Sequence, residues 1–373
     1  MSTLLVSTLQ PRTALQPSSA TRIPTLDGWR GVAILLVLLE HAGQYGRFKD
    51  QMWTNLGSFG VDIFFVLSGY IITTRLIKER ALHGRINLRG FYLRRAFRIL
   101  PLVVIYLSAL CLISRFTYLA DFRWQEVAGS LFFFRNYQFA ADPRGIYTTH
   151  FWSLSIEEHF YLVWPALFLV LGNRRALWFA TAGASASAFW RLYELSHSAS
   201  AMRALQTDAR LDGLLLGAAL ALLLTHARVQ AFIFANFQRE MPLLLLPAIF
   251  INLLLAHNRP SFTSYLLIVA TLAYTIIVKQ GTVFWWLNLR PIVWIGEISY
   301  SLYIWQQIFL LHPVGLLPLG RLSVFPFNLA CALVAATCSF YFIERPAIEL
   351  GKRLYARKVY DPPPPDGGAA MMI

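Results

Sequence analysis

Arg30 and His41 stand eleven residues apart in LDGWRGVAILLVLLEHAGQY, an otherwise apolar run. On an α-helix that spacing returns both side chains to within about 20° of one face, about 16.5 Å apart along the axis. With Arg30 at a membrane interface, His41 lies near mid-bilayer. An ionisable side chain at that depth costs about 2.5 to 3.5 kcal/mol on the insertion scale for Arg, Lys or Asp, so it faces a cavity and marks a functional path. Histidine titrates near neutral pH and can take and return a proton, which makes His41 the first candidate for chemistry.

Other charged side chains recur beside apolar runs. FYLRRAFRILP carries Arg95 and Arg98 three residues apart, a helical spacing that faces both guanidinium groups one way and suits a phosphorylated ligand. Plain interfacial charge against lipid headgroups is the competing explanation. GVDIFFVLSGYIIT sets Asp62 at one end of a helix and Ser68 beside Gly69 in its middle. Small residues there admit a close neighbour, and the absence of a G-x-S-x-G elbow argues against a serine nucleophile. THFWSLSIEEHFYLVWP gathers Trp152, Glu157, Glu158 and His159. One of its carboxylates could orient or charge-pair the His41 imidazole, whereas an interfacial belt needs only the aromatics. ARLDGL adds Arg210 and Asp212; Glu297 and Glu344 are weak signals taken singly.

The elements that must position these residues are membrane helices. The chain is 373 residues long, 57% hydrophobic and only 14% charged, against about 25% charged in a soluble domain. Apolar runs of spanning or near-spanning length fall at about 31–47, 57–77, 99–115, 151–171, 176–196, 209–226, 241–257, 262–279, 291–312 and 326–350, which reads as an all-α, polytopic bundle of about ten transmembrane helices. Leu131 to Phe134 is too short to span and is read as interfacial or re-entrant. The net charge of +14 is read as a cytoplasmic excess of Lys and Arg rather than a nucleic-acid footprint. With the N-terminus inside, basic residues inside outnumber those outside roughly two to one, so both termini are expected in the cytoplasm. Residues 1–25 read as a disordered cytoplasmic arm, 26–355 as the membrane domain and 356–373 as a disordered Pro-rich cytoplasmic tail. Cys111, Cys331 and Cys338 lie in apolar runs without metal-ligand spacing, so they read as packing residues.

Taken together, LDGWRGVAILLVLLEHA, GVDIFFVLSGYIIT, FYLRRAFRILP, FWSLSIEEHFYLVWP, RLDGLLLG, GEISYSLYIWQ and IERP resemble the acyltransferase 3 family of integral-membrane acyltransferases, in order and spacing along about 26–350. The resemblance implies ten transmembrane helices and transfer of an acyl group, often acetyl, from cytoplasmic acyl-CoA to a hydroxyl on a glycan or other extracytoplasmic acceptor. Arg30 and His41 fit the family's Arg, ten residues, His pattern; Arg95 and Arg98 fit its R-x-x-R; Glu157 fits the acid of its W-S-L-x-x-E motif. Two positions depart: Glu40 stands where an aromatic is usual, and Gln306 follows Trp305 where a histidine often does. The second departure argues against a late-helix histidine as base. Some members carry a fused extracytoplasmic hydrolase-like domain, which this sequence does not show, so the expectation is transfer completed alone or with a separate extracytoplasmic partner.

The expected assignment follows. A sugar hydroxyl is a poor nucleophile, and a base poised near neutral pH must take its proton as it attacks the thioester. His41 is the expected base, Glu157 its orienting acid, and Arg30 a charge steering the thioester or CoA. Arg95 and Arg98 are the expected acyl-CoA phosphate contacts. Asp62, Ser68, Trp152, Arg210, Asp212 and Glu344 are expected to line the site or meet the acceptor. Acyl-CoA enters as co-substrate; no metal or other cofactor is expected. The other partners are membrane lipids and a carbohydrate or lipid-linked glycan, with the protein multi-pass in the inner (cytoplasmic) membrane. The alternative class is a proton-coupled transporter or flippase of an anionic lipid-linked substrate, against which stands the lack of repeated halves or paired broken helices.

Overall fold

A computed structural model describes residues 23–44, 56–116, 123–142, 144–198, 201–236, 262–310 and 325–360, with isolated positions between 241 and 252. Every regular element among them is helical. The first helix, α1 (Pro24–Gln44), opens on a proline whose fixed φ suits a first turn. It is followed by α2 (Leu56–His83), α3 (Leu88–Phe116), α4 (Trp124–Leu131), α5 (Arg135–Ala141), α6 (Phe151–His197), α7 (Thr207–Leu223) and α8 (Ala227–Asn236). Beyond these come α9 (Phe262–Ile277), α10 (Thr282–Leu287), α11 (Arg290–Glu297), α12 (Ser299–Leu310), α13 (Phe327–Ser339) and α14 (Arg345–Tyr360), the last two joined by a π-turn, Phe340–Glu344.

The centre of the bundle is α2 between α1 and α7. A Cβ at Gly69 would fall 1.9 Å from the carbonyl oxygen of Leu214, and one at Gly217 would fall 2.0 Å from that of Val66. Only two glycines let these backbones approach so closely, the small-residue packing that membrane helices use in place of a hydrophobic drive. Phe65, Ile72 and Leu76 then pack against Leu214 and Ala218 in one buried cluster.

At 47 residues, α6 would be about 70 Å long if straight, more than twice a hydrocarbon core. Gly172 breaks it with left-handed backbone, φ 68° and ψ 176°. His159 Nδ1 lies 2.7 Å from Thr207 Oγ1, and Ser187 Oγ donates to Asp208 O at 2.6 Å. Both partners sit in the first turn of α7, yet residues 159 and 187 would be about 42 Å apart on a straight helix. The two halves therefore fold back about Gly172, matching the expected separate runs 151–171 and 176–196. Arg80 closes the break by donating to Leu169 O at 3.0 Å. Ala176, Ala180 and Ala184, fully buried, share the cluster that holds Leu214, Leu215 and Ala218 of α7.

Among the described residues, four helical runs are long and apolar enough to cross a membrane: Leu56–His83, Leu88–Arg115, Ile146–His197 and Phe327–Leu354. A fifth arises if Met202–Leu223 and Ala227–Asn236, bent by 98°, form one span. The expected run 291–312 is two helices, parted at Ile298, and 241–257 lies mostly outside the described residues. The patch at Leu131 to Phe134 falls between α4 and α5, where Phe133 takes φ 59°; both helices are far too short to span, as expected of an interfacial segment. Helix α14 runs to Tyr360, past the expected boundary at 355.

Candidate active site

The imidazole of His41 is held by an amide chain. His41 Nδ1 is 2.6 Å from Gln306 Oε1, Gln306 Nε2 donates to Gln307 Oε1 at 3.5 Å, and Gln307 Nε2 donates to Ile146 O at 2.8 Å. Each amide donates in one direction and accepts from the other, so Gln306 presents an oxygen to the ring. An amide oxygen only accepts, hence Nδ1 carries the proton and Nε2 keeps the lone pair that a base needs. The orienting group expected from sequence was Glu157; the structure gives that position to Gln306. Glu157 instead turns toward Arg95. A neighbouring departure is also accounted for: Glu40 Oε2 accepts from Gly57 N at 2.6 Å, placing a carboxylate on the first turn of α2, where orphan N–H groups and the helix dipole favour it.

One level below, arginines converge. Arg95 lies 3.7 Å from Glu157 and 3.5 Å from Glu158, with its guanidinium 3.5 Å from the centre of the Tyr161 ring. Glu157 Oε2 also accepts from Ser68 Oγ at 3.2 Å and from Tyr161 OH at 2.6 Å. Ser68 thus positions an acid and is no nucleophile in this arrangement. Arg98 lies within electrostatic range of Arg30, Arg75, Arg95 and Glu344, but has no ion-pair partner among the described residues. Glu344, buried in the π-turn, accepts from Ser301 Oγ at 2.9 Å. Arg30 leans on Asp27 at 3.8 Å and keeps 23% of its side chain exposed. Eleven residues separate Arg30 from His41 on α1 and Arg95 from Tyr106 on α3. Both steps are about 16.5 Å, so the arginine level and the histidine level are two layers of one bundle.

Asp62, Arg210 and Asp212 form a separate, closed assembly. Arg210 Nη2 meets Asp62 Oδ1 at 2.8 Å and Arg191 Nη1 meets Asp212 Oδ2 at 2.6 Å, all four side chains no more than 3% exposed. The Tyr265 ring lies 5.7 Å from one guanidinium and 5.9 Å from the other, and Trp152 and Phe65 each lie 5.5 Å from Arg210. Expected at the edge of the site, these residues neutralise one another inside the bundle, because a charge out of water needs a partner. Trp152 links this core to the segment that carries Glu157.

Several contributors escaped the sequence reading. Gln306 was seen only as a departure. Arg75 was counted as topology signal, yet it lies within electrostatic range of Arg30 and Arg95. Arg191 had a signal available: a cation inside an apolar run calls for a named acid. His150 carried none beyond its place ahead of Trp152.

A family model described as an acyltransferase domain, acyltransferase 3, matches residues 23–345. The peptidoglycan O-acetyltransferase OatA of Listeria monocytogenes is 28% identical over 352 residues, covering 87% of this chain. The putative peptidoglycan O-acetyltransferase YrhL of Bacillus subtilis is 30% identical over 373 residues, covering 91%. A putative O-acetyltransferase of Staphylococcus aureus is 28% identical over 380 residues, also covering 91%. The chain spans 55%, 57% and 60% of the length of these three relatives. No solved structure matches it. With most of its length under the family model and its apolar helices packed about the matching motifs, the chain belongs to the acyltransferase 3 family.

Proposed function

We propose that this protein is a membrane O-acyltransferase that moves an acetyl group from cytoplasmic acetyl-CoA to a hydroxyl of an extracytoplasmic glycan, peptidoglycan being the acceptor named in its relatives. One observation carries the reading: a histidine held at Nδ1 by Gln306 sits one layer above a convergent arginine cluster in the same bundle. Arg98, Arg30 and Arg75 supply charge for the CoA phosphates, and Glu157 with Glu158 positions Arg95 beside them. At the layer above, the acceptor oxygen attacks the thioester carbonyl carbon while His41 Nε2 takes its proton. The C–O bond forms, the C–S bond breaks, and the proton passes from the imidazolium to the departing thiolate. In this reading the bundle sits in the cytoplasmic membrane with about ten spans and both termini in the cytoplasm, which the excess of basic residues on that side supports.

The experiment is mass spectrometry of cell-wall glycans from cells lacking the gene and from cells complemented with it. Acetylated muropeptides should fall without the gene and return with it. An unchanged acetylation profile, with no other glycan gaining one acyl mass on complementation, would remove the reading. A transporter would instead change the amount of glycan delivered and not its mass.

A further inference from the structure

His150 sits immediately ahead of α6, 3% exposed, and neither of its ring nitrogens has a hydrogen-bond partner among the described residues. Rings enclose it: Phe151 at 4.7 Å between centroids, Tyr106 at 5.5 Å and Tyr303 at 5.6 Å. The indole of Trp305 lies 5.5 Å from the same Tyr106 ring, and its Nε1 is also buried without a partner. Buried polar atoms are nearly always satisfied, so three orphans about one tyrosine ring point to a group that the described residues do not supply.

The segment around His150 is fastened on every side, but not through its imidazole. Tyr303 OH donates to His150 O at 2.9 Å, Gln307 Nε2 to Ile146 O at 2.8 Å and Tyr106 OH to Tyr147 O at 2.6 Å. Arg135, within electrostatic range of His150, is engaged by Thr148 Oγ1 at 3.1 Å and by the carbonyls of Arg144 and Gly145. Before it, Asp142 accepts from Arg144 at 2.7 Å and from Arg123 at 3.0 Å; the hydrogen bond from Arg144, with Arg123 beside it, brings this exposed carboxyl down to about 2. The backbone is therefore set while the ring stays free. The same helix that fixes His41 through Gln306 fixes this segment through Tyr303 and Gln307, and His150 lies within electrostatic range of His41.

We propose that His150 and the indole N–H of Trp305 form the acceptor subsite, where a neutral sugar hydroxyl is bound and held toward His41. This rests on the acyl-transfer reading. An imidazole offers one donor and one acceptor, and an indole one donor; a hydroxyl can meet both kinds at once. Uncharged aromatic walls suit a sugar better than CoA, whose phosphates find their charge partners at the arginine layer about 16.5 Å away.

The test uses the full chain purified into lipid nanodiscs, with acetyl-CoA and the disaccharide N-acetylglucosaminyl-N-acetylmuramic acid as probes. His150→Ala should raise the disaccharide KM at least tenfold while the acetyl-CoA Kd stays within twofold, and His150→Asn should recover part of the loss. Trp305→Phe, which keeps an aromatic ring but removes the N–H together with part of the indole, should raise the same KM several-fold, so the question stays answerable if His150→Ala fails to fold. A disaccharide KM within twofold of wild type in the well-folded variants, or an equal loss of acetyl-CoA binding, would overturn the subsite. Equilibrium dialysis of the disaccharide separates the two readings. Wild-type binding without acetyl transfer would remove the transferase reading, and loss of that binding in Trp305→Phe would still support the subsite.

Discussion

At the scale of single residues, the two members of the R-x-x-R pair are not equivalent. Arg95 is clasped by Glu157, Glu158 and the Tyr161 ring, whereas Arg98 has no ion-pair partner among the described residues. Replacing Arg98 with Ala should weaken acyl-CoA binding by about 1.5 to 3 kcal/mol, the worth of a hydrogen bond to a charged group, with little change in folded yield. Arg95→Ala should lower the yield as well, because it strands two half-buried acids. Isothermal titration of both purified variants checks this, and equal behaviour of the two would refute the division. Gln306 supports a second expectation. Gln306→Leu removes the acceptor for His41 Nδ1–H and releases the ring to either tautomer. Turnover should drop at least tenfold, on the order of the 10²–10⁴-fold worth of a placed acid–base group, with acyl-CoA affinity unchanged. Steady-state kinetics beside a binding isotherm would reveal either failure. His41, Arg30, Arg95, Arg98 and Glu157 stand out in the sequence as ionisable groups in or beside apolar runs. Gln306 does not, since an uncharged amide in a helix carries no signal until its partner is known.

Among the elements, α2, α6 and α7 with α9 are locked by the double ion pair Asp62–Arg210 and Arg191–Asp212 over Tyr265. Breaking one partner leaves a buried charge, so Asp62→Ala should destabilise the bundle by about 3 to 5 kcal/mol. Replacing both Asp62 and Arg210 by Leu and Met should restore much of that. Thermal unfolding in detergent reads both, and a double variant no better than the single would argue that these groups act on substrate instead. The sequence placed Asp62, Arg210 and Asp212 at helix ends and Arg191 inside an apolar run, but none against another, since pairing between residues 62 and 210 depends on which helices touch. That contact is set by Gly69, already read from the sequence as admitting a close neighbour, and by Gly217, whose role shows only once both backbones are positioned. The fold-back at Gly172 was legible as two apolar runs; the parting at Ile298 was not, because the residues on both sides continue one apolar pattern.

For the molecule as a whole, the proposed function assigns donor and acceptor to opposite faces, with two layers about 16.5 Å apart, one cationic and one holding His41, between them. In sealed vesicles of known orientation, acyl-CoA should serve only from the side bearing the termini, and the glycan should be consumed only from the other; protease access to the Pro-rich tail fixes the orientation. Activity with both substrates on one face would remove the through-membrane arrangement while leaving His41 as base. Overall class was legible from composition alone; among the described residues four runs, or five with the bent pair, are long and apolar enough to span, and the expected run 291–312 is parted into α11 and α12. The most direct measurement is transfer of label from radioactive acetyl-CoA to the peptidoglycan disaccharide by purified wild type and His41→Ala at equal folded concentration. Wild type should label the disaccharide, and the variant should fall by at least 10²-fold, the lower bound for losing a general base, with acetyl-CoA binding intact. Label transfer by His41→Ala within a few-fold of wild type would contradict the account.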